Sequence, residues 1–361
     1  MNIKGNIKYL LAGTIVFLLV YLLLAAIPMG RDFYFEPTWV RYLPEITEEQ
    51  TPSEQPLREE MTEPFVLGTS FGYFTGDGTL LFTGATEERV AISPLGWAIY
   101  PHNAEQTTIT LAANGARVLI PEPGYVHLQQ DRIYLFHPGG NRVSRYDTNG
   151  SPLWTRAHSA PITAFNTSPS GTVLGYADGN LSILDQEGSL LSSLYPGGSD
   201  HEVILGAAIS PDGALVACVS GIDRQRFIVA SRMGNQYRIV YHSYLDGNLR
   251  RQAYVHFEQS GRYAFFETET GLGIFDSTAL ASRVLPITGR IVATGSDPSN
   301  TVFTVLARME NRFTLSVFEE PDHLIAKTEF TGEHAFLRQQ GTTIYLGIDN
   351  RISRIDIRGY E

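Results

Sequence analysis

A polar turn that closes on glycine, followed at once by an alternating apolar strand, recurs from residue 65 to the end of the chain. Residues 168–171 (SPSG) precede TVLGY, residues 210–213 (SPDG) precede ALVACV, and residues 258–261 (EQSG) precede RYAFF. Four weaker copies bring the closing positions to 96, 131, 171, 213, 261, 300 and 341. Glycine, aspartate and asparagine suit such turns, and alternation of apolar and polar positions is typical of a half-buried strand.

The spacing of these turns predicts the architecture. Successive turns lie between 35 residues (96 to 131) and 48 residues (213 to 261) apart, and a four-stranded propeller blade takes about 40–45 residues. Helical periodicity is not sustained after the N-terminal segment. The sequence therefore predicts an all-β protein, a β-propeller of about seven four-stranded blades over residues 65–361. Because the last repeat is one strand short, we expect residues 65–83 to supply its outer strand and close the ring.

The N-terminal segment is strongly apolar. Residues 9–27 carry no charge, and as a helix they would span about 28 Å, close to the hydrocarbon thickness of a bilayer. Lys4 and Lys8 precede this segment, so the positive-inside rule places the N-terminus in the cytoplasm. We therefore predict a single transmembrane helix within residues 1–30 that acts as a signal-anchor in the inner membrane, with the propeller on the periplasmic side. A cleaved signal peptide is the alternative.

Residues 31–64 separate this segment from the repeats. They hold nine acidic residues against three arginines, and prolines at 37, 44, 52, 56 and 64. Such a composition is typical of an extended tether. The aromatic residues between Phe33 and Trp39 are expected to lie at the membrane interface.

Composition excludes several classes of protein. The 361 residues carry a net charge of −11, which does not favour a nucleic-acid partner. Cys218 is the single cysteine, so the chain has no internal disulfide.

Two stretches, SPSGTVLGYADGNLSILDQEG and VSRYDTNGSPLWTR, resemble blades of the WD40-like and quinoprotein-dehydrogenase-like (PQQ-like) propeller superfamily, which includes outer-membrane-assembly propeller lipoproteins. SPDGALVACV resembles the repeat of TolB-type propellers. The likeness covers residues 89–361, without the Trp-Asp and Gly-His pairs of typical WD40 repeats, and indicates a divergent member of no assigned subfamily. The quinoprotein resemblance implies a quinone, a calcium ion and often a vicinal disulfide, and the residues match none of them. We therefore predict no catalytic residue, no cofactor and no metal.

Arginine dominates the positive charge after the N-terminal segment, where Lys327 is the one lysine. Residues 223–262 contain seven arginines against three acids, a local net charge of +4. Guanidinium groups favour contacts with carboxylates and phosphates. A possible docking surface is therefore predicted at Arg224, Arg226, Arg232, Arg238, Arg250 and Arg251. The alternative is that these arginines pair with acids of neighbouring blades.

These observations predict a membrane-tethered, non-enzymatic propeller that binds a protein or an anionic cell-envelope polymer. The alternative is a small-ligand-binding or enzymatic propeller that uses the central funnel. Polar side chains that converge at the axis would distinguish the second function from the first.

Overall fold

The computed structural model describes residues 13–18, 20–21, 33–44, 62–101, 104–297, 299, 301–319 and 322–359. The chain divides into two compact units. One comprises residues 1–36 and 357–361, and within it Arg358 Nε donates to Glu36 Oε2 at 3.1 Å. The other comprises residues 37–356 and contains most of the strands.

The predicted transmembrane helix is not found. Residues 13–18 and 20–21 are helical, and within the described ranges no helix is both long and apolar enough to cross a membrane. This part of the fold prediction is therefore wrong for the described residues. The other residues of the predicted segment lie outside them.

The described strands form eight sheets, which are the blades of an eight-bladed propeller. Blades 2 to 8 have four strands each, and blade 1 has three. Blade 1 contains β2(Thr62–Leu67), β3(Ser70–Thr75) and β4(Leu80–Ala85), and blade 2 contains β5(Arg89–Ser93), β6(Gly96–Tyr100), β7(Thr107–Leu111) and β8(Arg117–Ile120). Blade 3 contains β9(Tyr125–Gln129), β10(Arg132–Phe136), β11(Arg142–Tyr146) and β12(Pro152–Ala157). Blade 4 contains β13(Ile162–Ser168), β14(Gly171–Tyr176), β15(Leu181–Leu184) and β16(Leu190–Leu194). Blade 5 contains β17(Ile204–Ile209), β18(Leu215–Ser220), β19(Arg226–Met233) and β20(Gln236–Tyr244), and blade 6 contains β21(Val255–Phe257), β22(Tyr263–Thr268), β23(Gly271–Asp276) and β24(Ala281–Leu285). Blade 7 contains β25(Arg290–Ser296), β26(Val302–Met309), β27(Arg312–Glu319) and β28(His323–Thr331). Blade 8 contains β29(Ala335–Gln340), β30(Thr343–Ile348), β31(Arg351–Gly359) and β1(Phe33–Tyr42).

The repeat was predicted correctly, but the number of seven blades is wrong. The seven predicted turns are the turns between the first and second strands, counted from the axis, of blades 2 to 8. Among the residues that the structure describes, blade 1 has no such turn. Its residues 65–83, expected to close the ring, instead lie in strands β2 to β4.

Strand β1 is the fourth, outer strand of blade 8, in the order β1-β31-β30-β29. Thr38 Oγ1 donates to Asp356 Oδ2 at 3.2 Å, and Leu43 N donates to Asn350 O at 2.7 Å. The ring is therefore closed by a segment N-terminal to all the repeats. Residues 33–42, predicted as part of a tether and as interfacial aromatics, belong to this strand.

Aromatic side chains fill the spaces between neighbouring blades. Between blades 5 and 6 the ring of Phe227 stacks on Phe266, with 3.7 Å between centroids and 10° between planes. A Cβ at Gly273 would overlap the Phe266 ring, so β23 can pass this ring only because residue 273 is glycine. Each fully buried phenylalanine side chain contributes about 1.5–3 kcal/mol to stability.

Candidate functional site

A cavity of about 570 Å³ lies among the first strands of the propeller, and we call it the channel pocket. Blades 1, 2, 3, 6, 7 and 8 contribute to its lining. Most of the lining comes from the carboxyl ends of the first strands and the turns that follow them. Its polar lining includes Glu63, Gln130, Glu258, Gln259, Arg338 and Gln340. Polar side chains therefore do converge at the axis.

Glu63, on β2, is the most buried charged group with an ionic partner in the pocket. It is 7% exposed. Gln340 Nε2 donates to its Oε1, and Arg338 Nη1 lies 3.7 Å from its Oε2. Burial raises the pKa of Glu63 above its ordinary value, and the charge of Arg338 opposes this rise only in part. The carboxyl group is thus short of hydrogen-bond donors, and a ligand that supplies one would stabilise its charged form.

The carboxylate of Glu258 already accepts hydrogen bonds from residues of its own turn. Its Oε1 accepts hydrogen bonds from Tyr263 N at 2.9 Å and Ser260 Oγ at 2.6 Å. Asp297 accepts from Val302 N at 2.7 Å in the corresponding turn of blade 7. The polar residue that opens the recurring turn therefore satisfies backbone N–H groups, which explains why the turn is visible in the sequence.

Glutamines of the same turns divide into two groups. Gln129 Nε2 donates to Thr167 O of the next blade at 3.1 Å, and Gln339 Nε2 donates to Gly341 O at 3.0 Å. These amides hold the scaffold. Gln130 and Gln259 are exposed in the pocket, so their amides can meet a ligand.

None of the six predicted docking residues lines the channel pocket. The signal was present in the recurring turns, where glutamine follows directly on the first strand at LQQD (128–131), EQSG (258–261) and RQQG (338–341). Because the first strands of a propeller run side by side at the axis, their carboxyl ends meet there. In the described part of the chain, no group of three or more His, Cys, Asp or Glu side chains could hold a metal ion.

A specific contact connects blade 3 to blade 4. Trp154 Nε1, on the fourth strand of blade 3, and Arg145 Nη1, on the third, both donate to Gln186 O, at 3.1 and 2.8 Å. Gln186 lies in the turn between the third and fourth strands of blade 4. A Cβ on Gly188 of this turn would overlap the Trp154 ring.

The same contact connects blade 8 to blade 1. Trp39 Nε1, on the fourth strand of blade 8, and Arg354 Nη1, on the third, both donate to Gly76 O, at 3.1 and 2.8 Å. Gly78 of this turn packs against the Trp39 ring as Gly188 packs against Trp154. The turn between β3 and β4 therefore corresponds to a turn between third and fourth strands. Blade 1 thus consists of second, third and fourth strands.

The direction of β2 agrees with this assignment. Glu63, at its start, contacts Gln340 at the end of β29. A Cβ on Gly68, just after its end, would lie 3.0 Å from His334, which precedes β29. Strand β2 therefore runs antiparallel to the neighbouring first strand, as second strands do. Within the described residues blade 1 has no first strand, and the free edge of β2 faces the axis.

Two of the predicted docking residues lie together at one end of blade 5. The guanidinium carbons of Arg224 and Arg226 lie 5.1 and 5.7 Å from the ring centroid of Tyr244. Arg226 Nη2 also donates to Gly197 O at 2.6 Å. Arg224 is exposed, while Arg226 is half-buried and bonded to a neighbouring loop.

Arg232 and Arg238 lie near the other end of the same hairpin. Arg226 pairs with Tyr244, and Arg232 pairs with Tyr237. Six residues of strand separate the two ends, which is about 20 Å. The arginines of blade 5 therefore do not form one continuous surface, and their docking role stays a prediction.

Arg250 and Arg251 differ in their exposure and in their ion pairs. Arg250 is exposed and has no ion pair with any described residue. Arg251 forms a bidentate pair with Glu267, at 2.7 and 2.8 Å. Glu267 also accepts from Tyr254 N at 3.2 Å and from Ile291 N, in blade 7, at 2.9 Å. Arg251 therefore forms an ion pair of the kind that was the alternative to docking, and its docking role stays a prediction.

The eight sheets, their shared axis and the closure by β1 define a β-propeller. The chain belongs to a family described as beta-propeller protein, whose family model matches residues 1–361. It is 39% identical over 364 residues to an uncharacterized protein of Treponema pallidum (strain Nichols), a match that covers 99% of this chain and 96% of that protein.

Solved propeller structures resemble the chain in fold. BamB from Moraxella catarrhalis has a TM-score of 0.60 at 12% identity, over 90% of this chain and 100% of that one. The computationally designed Ika8 protein has a TM-score of 0.61 at 12% identity, over 85% and 98%. These likenesses confirm a divergent propeller and assign neither the WD40-like nor the quinoprotein subtype.

Proposed function

We propose that this protein is a non-enzymatic interaction module that receives part of a partner protein in the channel pocket. Polar side chains from six blades converge on one cavity at the axis, as expected for a function that uses the central funnel. The observation that favours a polypeptide as the occupant is that this lining includes exposed glutamine amides, which match peptide groups. Arg338 and the carboxyl group of Glu63 lie side by side there, and the exposed amides of Gln130 and Gln259 line the same cavity.

The chemistry of the pocket suits a polypeptide. Glutamine amides donate and accept hydrogen bonds and so match peptide groups. Arg338 can bind a carboxylate or a backbone carbonyl, while Glu63 can bind a basic side chain. The scaffold behind these groups is rigid, because amides such as that of Gln129 connect adjacent blades. The periplasmic location and the anionic envelope polymer as a partner stay predictions from the sequence.

Photo-cross-linking tests this proposal. A photoreactive amino acid is placed at Gln130 or at Gln259 in the full chain, which is then irradiated in an extract of cells that make the protein. Gln236, an exposed glutamine at the start of outer strand β20, gives a matched control. We expect one discrete protein adduct from both pocket positions, none from Gln236, and loss of the adduct on Arg338→Ala. Equal labelling at all three positions, or none at the pocket, contradicts the proposal.

The size of the cavity favours a second candidate, a small-ligand-binding or enzymatic propeller. Small-molecule sites have volumes of roughly 300–1,000 Å³, and the channel pocket falls in this range. Native mass spectrometry of the purified full chain tests it. A bound species of constant mass that is lost on Arg338→Ala would support this candidate over the first.

A further inference from the structure

We infer that an extended segment of the partner protein adds to the free edge of β2 and completes blade 1 as its first strand. This inference rests on the proposed function and names how the partner binds. Seven blades place a first strand at the axis, whereas the described part of blade 1 begins with a second strand. The edge of β2 that faces the axis is therefore available for β-strand addition.

The register of β2 identifies the backbone groups at this edge. Leu67 pairs with Ser70 across a two-residue loop. The backbone N–H and C=O groups of these two residues are therefore hydrogen-bonded to one another. Because bonded and non-bonded positions alternate, Phe65 and Glu63 also direct their backbone groups toward β3. Val66 and Pro64 direct theirs to the other side. The free edge thus presents the N–H and C=O of Val66 and the C=O of Pro64.

Proline at position 64 fits this arrangement. Proline lacks an N–H and is found in sheets almost only at edges. In the isolated chain it costs nothing at the free edge, whereas in the completed blade it leaves one carbonyl group of the incoming strand without a donor from β2. An incoming strand can therefore make three backbone hydrogen bonds here, two to carbonyl groups and one from the Val66 N–H.

The apolar cluster between blades 8 and 1 shows which side chains the incoming strand needs. Between blades 3 and 4, the first-strand residues Ile162 and Phe165 contribute to the corresponding cluster. Between blades 8 and 1, blade 1 contributes Phe65, Leu67, Phe74 and Leu80 from β2, β3 and β4, and no first-strand residue among those described. An incoming strand with alternating apolar residues would fill the equivalent positions.

Charge favours a second polypeptide over the preceding residues of this chain. Residues 45–61, which lie outside the described residues, carry six acids, one arginine and prolines at 52 and 56. Such a sequence would bring acids toward Glu63 and lacks the N–H groups of two residues. A partner segment with a basic residue would instead pair with Glu63, whose pKa burial raises.

A labelled peptide tests the inference. The probe is a fluorescein-labelled peptide with the sequence HAFLRQQG, which is that of residues 334–341. It is a first strand of this same propeller and carries apolar residues and one arginine. Binding to the full chain is measured by fluorescence anisotropy. Val66→Pro removes the Val66 N–H from the free edge, and Val66→Ala is the matched control that keeps it. We expect Val66→Pro to weaken binding at least tenfold relative to Val66→Ala, with both variants folded by circular dichroism.

Hydrogen exchange supplies an independent measurement on the unmodified protein. The Val66 amide is expected to exchange rapidly in the isolated full chain and at least tenfold more slowly with the peptide bound. Slow exchange without peptide overturns the inference, because the chain itself then completes blade 1. Equal affinity of the two Val66 variants, or no binding at millimolar peptide, overturns it as well.

The two proposals fail in different ways. If cross-links form at Gln259 and depend on Arg338 while Val66→Pro has no effect, the interaction module stands and strand addition is wrong. If the peptide binds in a Val66-dependent manner while no protein adduct forms in the extract, the free edge is competent and the proposed function is wrong.

Discussion

Replacement of Arg251 should destabilise the propeller, whereas replacement of its neighbour Arg250 should not. Glu267 is 1% exposed at its side chain, and Arg251 is 38% exposed. The carboxylate joins three parts of the molecule, namely the loop that carries Arg251, its own strand β22 and the N–H of Ile291 in blade 7. Loss of Arg251 would leave the buried charge of Glu267 with backbone donors alone.

The magnitude follows from this geometry. Removal of one partner from a fully buried ion pair costs about 3–5 kcal/mol. Because Arg251 is partly exposed, solvent already screens its charge, and we expect Arg251→Ala to cost roughly 2–3 kcal/mol. Glu267→Ala also leaves the Ile291 N–H unsatisfied, so its cost should be higher, about 4 kcal/mol. For a chain of this length a loss of 2–3 kcal/mol lowers Tm by about 3–4 °C.

Urea unfolding and thermal unfolding of Arg251→Ala, Arg250→Ala and the parent chain measure these values. Arg250 is exposed, so its variant should stay within about 0.5 kcal/mol of the parent. A double-mutant cycle with Glu267→Ala should give a coupling energy of about 2 kcal/mol. If Arg251→Ala is as stable as Arg250→Ala, the bidentate pair does not hold these blades and the reasoning is wrong.

Three further predictions follow from single residues. Burial raises the pKa of Glu63 above its ordinary value of 4.5, so ionisation of this carboxyl group lowers stability as pH rises from 4.5 through the raised value. Relative to the parent, Glu63→Gln should therefore gain stability in denaturation experiments as pH rises above 4.5, and a difference that does not depend on pH would contradict this. Cys218 is 1% exposed, and burial raises its pKa to about 12, so thiol reagents at pH 8 should label it only after unfolding; rapid labelling of the native protein would show that β18 is open. Trp39→Ala and Trp154→Ala should cost similar amounts, each about 2–3 kcal/mol since both rings are partly exposed, and a neutral Trp39→Ala in thermal unfolding would show that β1 does not close the ring.

Seven of the eight blades could be located in the sequence because the turns between their first and second strands carry a polar residue that bonds to the backbone of the turn. Glu258 and Asp297 satisfy backbone N–H groups of the turns that they open, and this local bonding requires particular residue types at particular positions. Blade 1 was missed because its described residues begin with the second strand and include no turn between first and second strands. The rule that identified seven blades could not identify the eighth.

Contacts between segments that are far apart in the sequence were the other features that the sequence alone could not predict. Phe33–Tyr42 reads as an aromatic segment beside a membrane, and its role as a strand depends on a partner more than 300 residues away. Likewise, the local charge at Arg251 favoured docking, while its carboxylate partner lies on another strand. Glutamines at the ends of first strands were visible in the sequence, but only the ring brings them into one pocket.

Closure by β1 also sets the order of events during synthesis. Thr38 and Asp356, which hydrogen-bond across the closing pair, are 318 residues apart, so β1 leaves the ribosome first and must wait for nearly the whole chain before it can pair. At about 5–20 residues per second this delay lasts roughly 16–64 s. During this delay the aromatic segment around Trp39 and the strand edges of the incomplete ring remain exposed. They can then pair wrongly with each other or with other chains. Pairing over so long a sequence separation is also slow once the chain is complete. Chaperones that hold extended aromatic segments are therefore expected to affect the yield of this protein more than its final stability.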